Sequence, residues 1–223
     1  MNYLNVFFTE DLNCHINISQ SDLDAETLQE SYVIVNLTVN TTALIHDPSG
    51  YFSKASNTYY WYNGDQQYQP TALPQMNFNF TTSKDYNISV FIKSNLTNQV
   101  KGLVKAGRTY RVIKAKDPIS DINVIGNTWL DFGELLQLNV SCSSGSKPFW
   151  YCLRIRDNKI DNFTCLHRER IYTEECSFPI IHYFPKNATY YVQIGINNPV
   201  SFSNKTIKVN VFKSKFELDN LMH

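Results

Sequence analysis

The chain has 223 residues, enough for two ordinary domains that each bury a core. Its 20 basic and 20 acidic side chains cancel, and they cancel again on either side of Asp117, at 9 against 9 before it and 11 against 11 from it onward. Neither half has the field of a nucleic-acid or anionic-membrane binder, and no run of 18 apolar residues offers a membrane-spanning helix.

Met1 to Glu10 lacks the basic region, apolar core and small-residue cleavage site of a secretory leader. Residues 1–27 are expected to form a partly ordered segment, with one helical turn at Asp22 to Gln29. Val33 to Val39 alternates and predicts a strand with Val33, Val35, Leu37 and Val39 inward. Further strands are predicted at Thr58–Tyr62, Asn77–Phe80, Tyr86–Ile92, Arg108–Lys114, Leu135–Cys142, Phe149–Ile155, Tyr190–Ile196 and Thr206–Phe212. Turn formers separate them, among them Asp47-Pro48-Ser49-Gly50, Asn63-Gly64 and Asn197-Asn198-Pro199. Many short strands with polar connections predict an all-β fold of two tandem immunoglobulin-like sandwiches. Asp117-Pro118 closes a strand and marks the boundary. The domains are expected at 28–116 and 117–213, with a tail at 214–223. The cations Lys101, Lys105, Arg108, Arg111, Lys114 and Lys116 have no acid among them and read as a solvated strand edge plus linker.

A repeat crosses that boundary. Phe80, five residues, then Tyr86 precede Ile88, Val90 and Ile92; Phe184, five residues, then Tyr190 precede Val192, Ile194 and Ile196. Each copy predicts a hairpin whose Tyr anchors a turn against the core, like the tyrosine corner of immunoglobulin-type sandwiches.

The densest signal is the N-glycan acceptor pattern Asn-x-Ser/Thr. It occurs ten times, at Asn17, Asn36, Asn40, Asn79, Asn87, Asn95, Asn139, Asn162, Asn187 and Asn204. With 24 Asn and 34 Ser plus Thr, chance placement would give about four. Alternation turns Asn36 and Asn40 away from the buried valines. It likewise turns Asn87 away from Tyr86, Ile88, Val90 and Ile92, and Asn139 away from Leu136, Leu138, Val140 and Cys142. The excess and the facing point to the secretory pathway.

Trp61, Gly64 and Asp65, followed by Phe80, Tyr86, Ile88 and Val90, resemble the Trp-Asp-Phe-Gly-Asp and Tyr-x-Val-x-Val motifs of polycystic-kidney-disease (PKD) domains. Tyr62 and Asn63 depart from Asp-Phe in that pattern. Leu138-Asn-Val-Ser-Cys142, then Cys152, Cys165, Cys176, His182-Tyr-Phe184 and Tyr190 resemble the Cys-rich segment that follows the PKD domain in the group of premelanosome protein, melanocyte glycoprotein NMB and transmembrane protein 130. The short upstream region is most similar to the last. The resemblance covers residues 30 to 212 and implies a type I membrane glycoprotein whose leader and anchor lie outside this chain. Relatives place a Cys where Tyr191 stands, so their pairing does not carry over.

Four of the five Cys fall within 35 residues and read as two disulfides with three possible connectivities. The nested set, Cys142 with Cys176 and Cys152 with Cys165, is preferred. Zinc is disfavoured because no Cys-x(2–4)-Cys pair occurs. Cys14 is left over: buried, paired with a segment elsewhere, or linking two chains.

No phosphate loop, dinucleotide fingerprint, metalloprotease motif or nucleophile elbow occurs. His182 reads as structural. The acids Asp157, Asp161, Glu169, Glu174 and Glu175 alternate with Arg154, Arg156, Arg168 and Arg170 and read as a paired surface. No catalytic residue, metal or cofactor is expected, and the partners are other proteins at a cell surface or in a secretory organelle. The expected role is a non-catalytic, N-glycosylated ectodomain making protein contacts or spacing other modules. The alternative is a carbohydrate-binding accessory module of a secreted enzyme, for which Tyr59-Tyr60-Trp61-Tyr62 would supply outward aromatics.

Overall fold

A computed structural model describes residues 12–96, 103–158 and 163–213. The chain divides into two compact units, Met1–Lys116 and Asp117–His223.

The first unit contains β1 (Cys14–Ser19), α1 (Ala25–Gln29), β2 (Tyr32–Ile34), β3 (Thr38–Ile45), β4 (Ser56–Asn63), β5 (Gln66–Gln67), β6 (Gln75–Asn79), β7 (Asp85–Asn95) and β8 (Val104–Lys116). A three-stranded sheet in the order β1-β3-β6 faces a five-stranded sheet in the order β2-β8-β7-β4-β5. Alternate residues of both sheets fill the core, where Val33, Val39, Trp61, Phe80, Ile88, Val90, Ile92 and Ile113 are buried.

Three expectations are corrected here. Val33 to Val39 is not one strand. Asn36 takes φ +61° and its amide donates to the Phe80 carbonyl at 2.7 Å. The chain thereby leaves the five-stranded sheet as β2 and enters the other as β3. Buried Gln20 holds this crossing: its Oε1 accepts from Ile34 N at 2.7 Å, and its Nε2 donates to the carbonyls of Ile34 and Leu37 at 2.9 and 3.2 Å. Leu37 is consequently half-exposed rather than core.

Second, β1 comes from the stretch expected to lie outside the sandwich. It pairs with β3 from Cys14↔Ile45 to Ser19↔Asn40 and buries Ile16. Third, β8 is no edge, since it runs between β2 and β7. Arg111 on β8 turns inward, and its guanidinium donates to the carbonyls of Ile16 (2.9 Å), Leu28 (2.7 Å) and Gln29 (3.2 Å) and to Ser31 Oγ (2.9 Å). One cation thus pins β1 and the end of α1 to the five-stranded sheet. Asp24 caps α1 by accepting from Thr27 N at 2.8 Å. Lys101 lies outside the described residues.

The second unit contains β9 (Ile122–Gly126), β10 (Trp129–Asp131), β11 (Leu135–Cys142), β12 (Phe149–Arg156), β13 (Ile171–Thr173), β14 (Ser177–Tyr183), β15 (Thr189–Asn198) and β16 (Ser201–Phe212). Its sheets run β14-β11-β9 and β10-β16-β15-β12-β13. Every strand has its counterpart eight places earlier, including the parallel pairs β2–β8 and β10–β16. The two units therefore share one topology. The second core holds Leu136, Leu138, Phe184, Val192, Ile194, Ile196 and Val209. Entry into this unit is fixed by Asn198 Nδ2, which donates to the carbonyls of Asp117 and Ser146 at 2.7 and 3.1 Å.

Candidate functional site

The acceptor asparagines are the first chemistry the strands position. All nine that fall among the described residues are exposed: Asn17, Asn36, Asn40, Asn79, Asn87, Asn95, Asn139, Asn187 and Asn204. Asn162 lies outside the described residues. Asn17, Asn40 and Asn79 share the outer face of the β1-β3-β6 sheet, where Ser19 pairs with Asn40 and Thr38 with Asn79. Asn36 sits in the turn before β3 and not on a strand face beside Asn40. Asn87 and Asn95 lie on β7, the central strand of the other sheet. Asn139 is on β11, and Asn204 is on β16.

The repeated tyrosine does the same work twice. Tyr86 Oη donates to the Thr82 carbonyl at 3.2 Å, and Tyr190 Oη donates to the Lys186 carbonyl at 3.1 Å. Each ring lies on the buried Phe that opens the repeat, at 4.4 Å for Phe80 and 4.3 Å for Phe184. These are tyrosine corners at the turns from β6 to β7 and from β14 to β15. Trp61 is fully buried on β4, as a sandwich core Trp should be. Gly64 supplies φ +57° in the β4–β5 turn, and Asp65 is an exposed turn residue beside it.

Two disulfides are present, and their connectivity is nested: Cys142–Cys176 with Cα atoms 5.6 Å apart and Cys152–Cys165 with 5.8 Å. The first ties the end of β11 to the start of β14 within one sheet, unlike the bridge between sheets of antibody domains. The second lays the segment after residue 162 on the outer face of the five-stranded sheet. There Cys152, Phe163 and Cys165 form a small separate core. Arg154 covers the Phe163 ring at 5.1 Å and pairs with Glu169 at 3.0 Å. A Cβ at Gly195 would stand 2.6 Å from Cys165 Sγ and 2.9 Å from the rings of Phe163 and Phe202. Sequence reasoning missed this second layer; the one available signal was a glycine inside an Ile-Gly-Ile strand, which marks a close approach.

Among the described residues, no second layer of this kind lies on the matching face of the first unit, where Tyr60, Tyr62 and Phe91 are half-buried. Its rows read Tyr60–Phe91–Arg108 and Tyr62–Ser89–Tyr110 across β4, β7 and β8. Tyr60 and Phe91 meet at 5.8 Å, and Arg108 lies 5.6 Å from the Tyr62 ring centroid. Tyr110 is 72% exposed. This aromatic and cationic face is the candidate protein-contact surface. Of the predicted Tyr59-Tyr60-Trp61-Tyr62 run, Tyr60 and Tyr62 reach it, while Tyr59 and Trp61 are core.

The charged residues of the second unit pair in part: Lys147 with Glu174 at 3.4 Å, in addition to Arg154 with Glu169. Tyr172 Oη donates to Glu174, which lowers the carboxyl pKa and raises that of the phenol. Asp161 lies outside the described residues. His182 is half-buried with its ring edge-on to Phe184 at 4.8 Å. Cys14 is a free, half-buried thiol whose pKa burial raises. Among the described residues no group of three or more His, Cys, Asp or Glu is placed to hold a metal ion. No helix among them is long and apolar enough to cross a membrane.

This fold places the chain in the class of tandem immunoglobulin-like β-sandwich proteins. The ICAM-5 D1–D4 ectodomain fragment superposes with a TM-score of 0.55 at 9% identity, covering 88% of this chain and 53% of that one. The present chain therefore spans about half of that fragment. The CD2-binding domain of CD58 gives 0.44 at 10% identity, over 80% of this chain and 95% of its own. Clostridium thermocellum CbhA fibronectin(III)-like modules give 0.42 at 12%, over 91% and 97%. No family model and no curated protein matches the sequence.

Proposed function

We propose that this chain is a non-catalytic, N-glycosylated ectodomain of a single-pass membrane glycoprotein, extracellular or lumenal, that makes protein contacts. The observation that carries the reading is the exposure of all nine described acceptor asparagines, several of them on strands whose neighbouring residues are buried. Two disulfides fit an oxidising compartment. The PKD-like motif and the Cys-rich second unit support kinship with the premelanosome protein, glycoprotein NMB and transmembrane protein 130 group, with transmembrane protein 130 most similar. Within that reading, the Tyr60–Phe91–Arg108 face is where a partner docks.

The test is the intact mass of the chain secreted behind an added leader, unreduced, before and after an N-glycosidase. Loss of several glycans with four blocked thiols is the expected result. A protein without glycan and with five free thiols would sink the reading. The outward aromatics of the same face favour a second reading as a carbohydrate-binding module; binding of the deglycosylated chain to a glycan array, lost in Tyr110→Ala, would replace the first proposal's docking partner with a sugar.

A further inference from the structure

Because the two units share a topology, the outer faces of their three-stranded sheets can be compared strand for strand. On the first unit that face is polar: His15, Asn17, Ser19, Thr38, Asn40, Thr42, Gln75, Asn77 and Asn79 point outward, and Leu44 is its one large apolar side chain. On the second unit the same face carries more apolar side chains, set among polar Asn123, Gln137, Asn139 and Ser177. Ile125 is 71% exposed and Ile181 is 66% exposed, with Leu135 and Tyr183 also exposed. Pro179, Ile181 and Tyr183 follow one another along the outer side of β14 beside Leu135, with Ile125 across Asn139 from them, and an apolar stripe of this kind on an outer face calls for a cover.

The register shows what stands at its centre. Asn139 on β11 lies directly between Ile125 of β9 and Pro179 of β14. Ile181 pairs with the neighbouring outward residue Gln137, one diagonal step from Asn139, and Tyr183 pairs with Leu135 one step further. Cross-strand neighbours are roughly 5 Å apart and diagonal ones roughly 7–8 Å, so the first sugar ring on Asn139 is within reach of Ile125, Pro179 and Ile181, while Tyr183, four residues beyond Pro179 and roughly 14 Å away, is reached by the next ring. Asn139 begins an acceptor triplet with Val140 and Ser141, and it is exposed. An open depression of about 660 Å³, lined by Asn127, Leu130, Gly133, Glu134, Leu135 and Gln137, continues from the same strand and leaves room for further sugars. A pyranose ring with equatorial substituents turns axial C–H groups to its faces, so it packs on aliphatic and aromatic side chains while its rim keeps its hydroxyls in water.

We propose that the glycan on Asn139 is the cover of this face: its first N-acetylglucosamine residues lie on Ile125, Pro179, Ile181 and Tyr183 and take the place of a protein partner there. The proposal rests on the ectodomain reading above and goes beyond it. In this unit the glycan is a packing element as well as a decoration.

The test uses the whole chain secreted behind a leader, with glycopeptide mass spectrometry reporting occupancy site by site. Ser141→Ala and Asn139→Gln each remove the Asn139 glycan. Both are expected to raise anilinonaphthalene-sulfonate binding severalfold and to self-associate in sedimentation velocity. Adding Ile125→Ser and Ile181→Ser should reverse both effects. N-glycosidase treatment of folded wild-type and Ile181→Ser protein gives the same readout without relying on secretion of the sequon variants. Occupied Asn139 whose removal changes neither dye binding nor association overturns the proposal. So does a vacant Asn139 beside occupied sequons elsewhere. Ile181-dependent self-association of the fully glycosylated chain would give the face to a second copy instead. Absence of glycan at every sequon removes the ectodomain reading itself, a different result from vacancy at Asn139 alone.

Discussion

Replacing Arg111 by Met keeps the aliphatic stem and deletes the donor fork. The guanidinium makes four hydrogen bonds of 2.7 to 3.2 Å, three of them to carbonyls on β1 and α1. A hydrogen bond from a charged group contributes about 1.5–3 kcal/mol where it is well shielded. The Gln29 carbonyl is exposed and water can replace its donor, whereas Ile16 is buried in the core. Burial lowers the Arg111 pKa, yet a guanidinium stays protonated at neutral pH, so the charge itself is constant across the assay. Counting the shielded bonds and discounting the solvated ones gives a loss of about 3 kcal/mol. For a unit of this size, with an unfolding entropy of about 2.1 cal/mol/K per residue, that lowers the Tm of the first unit by about 12 °C. Arg111→Lys should recover less than half, because an ammonium cannot span the fork's partners. Differential scanning calorimetry reads the shift, and amide exchange at Thr27 and Leu28 reads whether α1 loosens. A Tm change under about 3 °C for Arg111→Met would refute the view of Arg111 as a staple.

Breaking Cys152–Cys165 as a double Ala variant should cost the second unit about 3 kcal/mol from the loop-closure term for a separation of 13 residues; thermal unfolding without reductant measures it. Gly195→Ala should destabilise the same unit by about 1–3 kcal/mol through overpacking against Cys165, Phe163 and Phe202, measured by urea unfolding. Tyr86→Phe and Tyr190→Phe should each cost about 1 kcal/mol in their own unit and add in the double variant, since each removes the hydroxyl's bond to its turn carbonyl while keeping the ring; Tyr86 also loses an exposed contact with Thr82 Oγ1, which water can replace. The raised pKa of Cys14 means that its thiol holds its proton more tightly in the folded state, so its contribution to stability is present below the ordinary thiol pKa and is lost as pH rises above it. Iodoacetamide should accordingly label Cys14 far more slowly at pH 8 in the native protein than in urea.

What the sequence disclosed followed from half-buried antiparallel strands, where alternation and burial coincide. Leu136, Leu138 and Val140 were readable for that reason, as was outward Asn139. The Phe-x5-Tyr repeat was readable because the hydroxyl must reach back four residues to a carbonyl, which fixes the spacing. The strand β14 was missed because Pro179 interrupts it and Ile181 faces water; an edge strand tolerates both. Asn36 broke a strand with a positive φ that no glycine announced. Arg111 looked like one cation in a solvated run, because nothing local tells an inward-facing charge from an outward one when its partners are 80 to 95 residues away. The layer of Phe163 and Cys165 over Gly195 depends on tertiary contact alone.

The parallel pairing of β2 with β8 has a mechanical consequence. The chain enters the first unit ahead of β2 and leaves at the end of β8, and the two strands run side by side through Tyr32↔Lys114, Val33↔Ala115 and Ile34↔Lys116. Tension applied to the two ends, once β1 has peeled away, pulls these strands in opposite directions along their own axes. All three pairs then bear load together in shear, whereas the β15–β16 hairpin, pulled open from its free end, would unzip bond by bond. Trp129↔Asn210, Leu130↔Val211 and Asp131↔Phe212 repeat the arrangement in the second unit. Each unit thus carries its own clamp against stretching, a property useful to any chain held taut between two attachment points.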